Sequence, residues 1–178
     1  MEEEEEITEG VLIDNNVIVS GEKATATYEA GYYGSILEEE KLGLEIVEAL
    51  LLIERKRLKV LDEKGQELDF QSILKGTLDV DPRIWTKYLV YRDLRSRGYI
   101  VRLGYGSGVD FRVYERGAVL NEDVAKYLIH VVVEGAPLEL ASLEKIIRAA
   151  TSSRKKLVLG VVDRQGETTY YFAAEVNF

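Results

Sequence analysis

Only one histidine, His130, occurs in the 178 residues, and imidazole is the side chain that most readily exchanges a proton near neutral pH. It stands within Tyr127-Leu128-Ile129-His130-Val131-Val132-Val133, with apolar neighbours on both sides. Acid–base chemistry also requires access and a partner within hydrogen-bond reach, so this context fits a packed strand histidine. Tyr114 is placed differently: it closes an alternating stretch near Arg112, Glu115 and Arg116. A second basic group, Arg154-Lys155-Lys156, comes later. If the two groups meet in space, the phenol could orient or deprotonate a ribose hydroxyl while an ammonium stabilises charge on phosphate oxygens. A phenol at its ordinary pKa of about 10 is a poor base at neutral pH. That role therefore demands a suitable local field, and simple packing of Tyr114 is the competing reading.

Other chemistries are excluded by type. Cysteine is absent, which removes disulfides, thiolate nucleophiles and cysteine-ligated zinc. One histidine cannot form a histidine cluster, and the scattered carboxylates lack metal-ligand spacing, so neither a metal nor a cofactor is expected. Gly104, Gly106 and Gly108 suit a flexible turn or close backbone packing. They do not form a dinucleotide fingerprint, because the GxGxxG spacing and its βαβ setting are missing.

The elements that must carry these residues follow from hydrophobic period and turn chemistry. Val11–Ile13 and Val17–Val19 flank Asp14-Asn15-Asn16 as two short strands around a turn. Gly21, Gly31 and Gly34 punctuate a segment with Tyr28, Tyr32 and Tyr33, and residues 43–57 read as an amphipathic helix. A strand over 58–61 and a short helix over 67–76 follow. Asp81 and Pro82 suit the cap and first turn of a helix that stops at Gly98. Beyond it come strands at 99–103, 109–114 and 127–133, a helix over 142–151, and a hairpin of 157–162 with 168–176. The fold class expected is α/β (α+β): a small mixed amino-terminal domain, 1–80, and a carboxy-terminal domain, 81–178, with a mixed sheet packed by helices.

The formal net charge is −9. It argues against a surface coated with nucleic acid but leaves room for a local basic patch. Glu2–Glu6 reads as a solvated, self-repelling tail. No apolar stretch reaches the roughly 20 residues that span a bilayer, and a cytoplasmic protein without a membrane partner is expected.

In its ordered series of motifs the chain resembles the archaeal tRNA-splicing endonuclease family. The markers are Tyr88-Leu89-Val90-Tyr91-Arg92-Asp93-Leu94-Arg95-Ser96-Arg97-Gly98-Tyr99, Val109-Asp110-Phe111-Arg112-Val113-Tyr114-Glu115-Arg116-Gly117, Lys126-Tyr127-Leu128-Ile129-His130 and Arg154-Lys155-Lys156-Leu157-Val158-Leu159-Gly160-Val161-Val162-Asp163, with Gly31-Tyr32-Tyr33-Gly34 near the start. The resemblance implies a nuclease-like carboxy-terminal domain. It also implies metal-independent cleavage of precursor tRNA at bulge–helix–bulge intron boundaries, leaving 2′,3′-cyclic phosphate and 5′-hydroxyl ends, by a tyrosine, a histidine and a lysine. Tyr114 matches the general-base tyrosine and Lys155 the lysine. The histidine that begins the family's His-Ser-Lys-Tyr segment falls at Val124, followed by Ala125-Lys126-Tyr127. Valine cannot donate a proton to the departing 5′ oxygen, and His130 matches a later strand histidine.

The resemblance therefore implies a non-catalytic structural subunit of a heteromeric endonuclease, such as a heterotetramer, beside a homologous catalytic subunit. Arg112, Arg116, Lys126, Arg148, Arg154 and Lys155 are the candidate RNA contacts. Asp163 and Glu167 in a loop, with Tyr170, Tyr171, Phe172 and Val176 on a final apolar strand running to Phe178, are the candidate interface. Ordinary core packing of that strand stands as the plain alternative. Two other functions are open: a competent homo-oligomeric enzyme using Tyr114 and Lys155 with an unusual proton donor, and a stand-alone RNA-binding assembly protein.

Overall fold

The computed structural model describes residues 7–38, 40–106, 108–176 and 178; the acidic run Glu2–Glu6 lies outside them. The chain divides into two compact units between Tyr88 and Leu89, each built on its own sheet.

In the first unit β1 (Thr8–Ile13) and β2 (Asn16–Ser20) form the expected hairpin, and α1 (Glu22–Glu29) follows. β3 (Ser35–Leu37) and β4 (Lys41–Glu45) extend the sheet beyond β2. The helix expected over 43–57 begins only at Ile46, as α2 (Ile46–Glu54). Two local features override its apolar period. Leu42 and Leu44 alternate with Gly43 and bury on β4, and Glu45 and Glu48 make a reciprocal capping box at the helix start. Glu48 is itself buried, accepting the backbone N–H groups of Gly34 at 3.0 Å and Glu45 at 2.9 Å. β5 (Leu58–Leu61), β6 (Glu67–Leu68) and α3 (Phe70–Leu78) complete the unit. The sheet order is β3-β4-β2-β1-β5-β6, with β1 and β5 parallel.

α4 (Ile84–Ser96) spans the division between the units. The Asp81 carboxylate accepts the Arg83 N–H at 3.0 Å and pairs with Lys87 at 2.7 Å. Burial pushes its pKa up, but these bonds prevail and hold it below the ordinary carboxylate value.

The second sheet runs β11-β10-β9-β8-β7, from β7 (Ile100–Gly106), β8 (Val109–Tyr114), β9 (Tyr127–Val133), β10 (Lys156–Val162) and β11 (Thr168–Ala173). β9 and β10 are parallel, so the chain must cross over between them, and α5 (Leu140–Ser152) is that crossover. Ile146 and Ala150 of α5 pack with Leu128 and Leu157. Two glycines allow the close approach at the hairpin end. A Cβ on Gly104 would lie 1.9 Å from the Val109 carbonyl oxygen, and one on Gly108, at φ +90°, would lie 2.5 Å from Ile146. The last strand ends at Ala173, so Val176, expected on it, lies beyond the sheet. Among the described residues no helix is long and apolar enough to cross a membrane.

Candidate nucleic-acid cleft

β8 runs antiparallel to β9 while β9 runs parallel to β10, so β8 ends where the other two begin. Val113 pairs with Tyr127, and Tyr127 with Lys156, in one row across the three strands. Tyr114, Lys126 and Lys155 are each the next residue outward from that row. With strands about 4.8 Å apart, the backbones of Tyr114 and Lys155 are separated by roughly 10 Å across the sheet. Tyr114 and the Arg154-Lys155 group, 40 residues apart in the chain, thus share one end of one sheet.

The loop between β8 and β9 closes this end. Its shape is fixed by Asp123, whose carboxylate accepts the Val119 N–H at 2.8 Å, and by the Asp123 N–H bonding to the Val119 carbonyl at 2.9 Å. The next residue, Val124, stands 80 % exposed. With Glu115, Arg116, Asp123, Lys126 and Arg154 it lines an open cleft of about 400 Å³. An apolar side chain so exposed in a charged cleft contributes little to folding.

Charge in the cleft is mixed. Lys126 is bonded to Glu115, and that bond holds the ammonium pKa above its ordinary value. Arg116 lies 5.4 Å from the Tyr99 ring centroid. Arg154 sits at φ +55°, in the tight turn after α5 where the Lys155 N–H returns to the Ala150 carbonyl at 2.9 Å. The Lys155 ammonium is exposed, 3.4 Å from the Ser153 carbonyl. Tyr114 is only 9 % exposed, so its ring packs.

Arg112 and Arg148 lie outside the cleft lining. Arg112 donates to the Leu103 carbonyl at 2.7 Å and the Tyr105 hydroxyl at 2.6 Å; Arg148 pairs with Glu144 at 2.6 Å on α5. His130 is also elsewhere, on β9 beneath α5. Its Nδ1–H donates to the Gly108 carbonyl at 2.5 Å and lies 3.6 Å from Asp110, whose carboxylate accepts the Val131 N–H at 2.7 Å. Asp93, Asp110, Asp123 and Glu115 were not among the sequence candidates. Each carboxylate bonds a neighbouring group, and spacing carries no signal for that.

The candidate interface residues divide. Asp163 folds back on its own turn, accepting the N–H groups of Gln165 at 2.8 Å and Glu167 at 2.9 Å. Tyr170 donates its hydroxyl to Asp93 at 2.7 Å, and Arg97 bonds the same carboxylate at 2.9 Å. Burial, followed by that carboxylate, pushes the Tyr170 phenol well above its ordinary value. Tyr171 and Phe172 are instead 55 % and 68 % exposed on the edge strand, and Phe172 lies 6.3 Å from the ring of Tyr127. Among the described residues no group of three or more His, Cys, Asp or Glu could hold a metal ion.

Fold and site together define a two-unit α/β protein whose carboxy-terminal sheet presents tyrosine and basic residues at one end. Residues 8–74 match the family model for the tRNA intron endonuclease N-terminal domain, and residues 84–170 that for the tRNA intron endonuclease catalytic C-terminal domain. The chain is 36 % identical over 160 residues to the tRNA-splicing endonuclease of Methanococcus vannielii, covering 90 % of this chain and 89 % of the relative. It is 38 % identical over 151 residues to that of Thermococcus onnurineus, covering 85 % of each. It is 35 % identical over 160 residues to that of Methanococcoides burtonii, covering 90 % of this chain and 44 % of that longer protein. The chain belongs to the archaeal tRNA-splicing endonuclease family.

Proposed function

We propose that this chain is a structural subunit of a tRNA-splicing endonuclease, holding precursor tRNA and a homologous catalytic subunit while the partner cuts at bulge–helix–bulge boundaries. Val124 carries the reading: at the position of the family's histidine stands an exposed valine that opens onto the cleft. Attack of a ribose 2′-hydroxyl on the adjacent phosphate needs a base at the hydroxyl, positive charge at the non-bridging oxygens and an acid at the departing 5′ oxygen. Tyr114 and Lys155 stand at one sheet end and suit the first two needs. Val124 has no proton to give, and His130 is engaged with the Gly108 carbonyl beneath α5.

The cleft cations Arg116, Lys126 and Arg154 then position phosphates without cleaving them. Assembly is assigned to the β11 edge, where Tyr171 and Phe172 present exposed apolar surface beside an open strand, an arrangement that favours pairing with another chain. The heteromeric state, a heterotetramer for example, and the cytoplasmic setting are parts of this proposal. The test is cleavage of precursor tRNA by the purified chain alone and after mixing with a His-bearing homologue. Activity only in the mixture is expected; robust cleavage by the isolated chain would sink the reading and favour the homo-oligomeric enzyme.

A further inference from the structure

The β7–β8 hairpin is a basic ribbon on an acidic protein. Its strands carry Arg102 and Arg112 against one acid, Asp110, whose carboxylate is committed to the Val131 N–H. Arg102 and Arg112 are directly opposed across the two strands. At the tip, Tyr105 is 75 % exposed. The Arg112 guanidinium lies 4.2 Å from its ring centroid and bonds its hydroxyl and the Leu103 carbonyl. A ring so exposed adds little to the core, yet its cation is fixed in place. Preformed aromatic surface flanked by positive charge is what unpaired nucleobases stack on.

We propose that Tyr105, oriented by Arg112, is a stacking platform for an unpaired base of the bound RNA, a contact outside the cleft. This rests on reading the chain as an RNA-holding subunit. Gly106 pairs with Val109 and Leu103 with Phe111, so Tyr105 lies about five residues, roughly 17 Å, along the ribbon from Tyr114. At that distance it contributes to affinity and register and leaves the chemical step untouched.

The probe is a synthetic bulge–helix–bulge RNA carrying 2-aminopurine at each unpaired position in turn, titrated with the full chain. Quenching at one position is expected, with Tyr105→Ala abolishing it and weakening Kd by about tenfold. Tyr105→Phe keeps the ring and should retain the quench with Kd within about threefold. In the reconstituted complex Tyr105→Ala should raise KM and spare kcat. Unchanged Kd and quench in Tyr105→Ala would overturn the proposal, as would unchanged RNA affinity with a shifted native mass, which would make the ring a protein contact. Cleavage by the isolated chain would instead defeat the subunit reading and leave the stacking result standing.

Discussion

At position 124 a hydrophobic side chain is spent on solvent. Valine there is 80 % exposed beside Arg116, Lys126 and Arg154, held out by a loop whose turn is made by Asp123. Because the loop is fixed by its neighbour, a different side chain at 124 should occupy the same place. Val124→His is therefore expected to give the isolated chain measurable cleavage of a bulge–helix–bulge RNA, about 100-fold or more above the parent, the range a positioned general acid supplies. Products ending in 2′,3′-cyclic phosphate would confirm the route. A variant that binds RNA as the parent does but cleaves no faster would show that Tyr114 and Lys155 are not in working positions. Residue types made this position legible in sequence only through the family resemblance; an isolated valine carries no chemical signal. The packing of Tyr114 and the anchoring of His130 by Gly108 and Asp110 depend on contacts between distant residues.

At the level of elements, the three strands and one crossover helix whose ends carry the cleft loops are readable from period and turn residues. β8, β9, α5 and β10 lie close to their expected spans because alternation and helical repeat each matched a buried face. The helix expected over 43–57 is present but starts later, at Ile46, since apolar residues such as Leu42, Leu44, Ile46 and Val47 suit strand and helix alike until the capping box and Gly43 are weighed. The glycines of the β7–β8 hairpin suit either a flexible turn or close packing in sequence, and the structure divides them: Gly104 is closely packed, while a Cβ on Gly106 would meet nothing within 4 Å. Gly104→Ala would push a methyl against the Val109 carbonyl at 1.9 Å, forcing the strands apart at a cost of about 1–3 kcal/mol. A thermal melt of the variant should show a lower Tm, whereas an unchanged Tm would mean that the hairpin relaxes freely there.

The whole molecule poses the question of association. β11 is an edge strand with Tyr171 and Phe172 exposed, while its neighbour Tyr170 is tied down by Asp93 and Arg97. The sequence offered all three aromatics as interface; only register against β10 and the bond to Asp93 separate the anchored ring from the exposed ones. Phe172→Glu places a charge on that surface without removing core, so native mass spectrometry at low micromolar concentration should show loss of the heteromer with the monomer still folded. Assembly unchanged by Phe172→Glu would move the interface elsewhere.

The central claim, that this chain positions substrate while another supplies the chemistry, is tested most directly by Tyr114→Phe in the reconstituted complex. The substitution keeps the packed ring and removes only the hydroxyl. Single-turnover cleavage of precursor tRNA should then proceed within about twofold of the unmodified complex. A fall of about 100-fold or more, the scale expected when a working general base is lost, would contradict the claim and make this chain a catalyst.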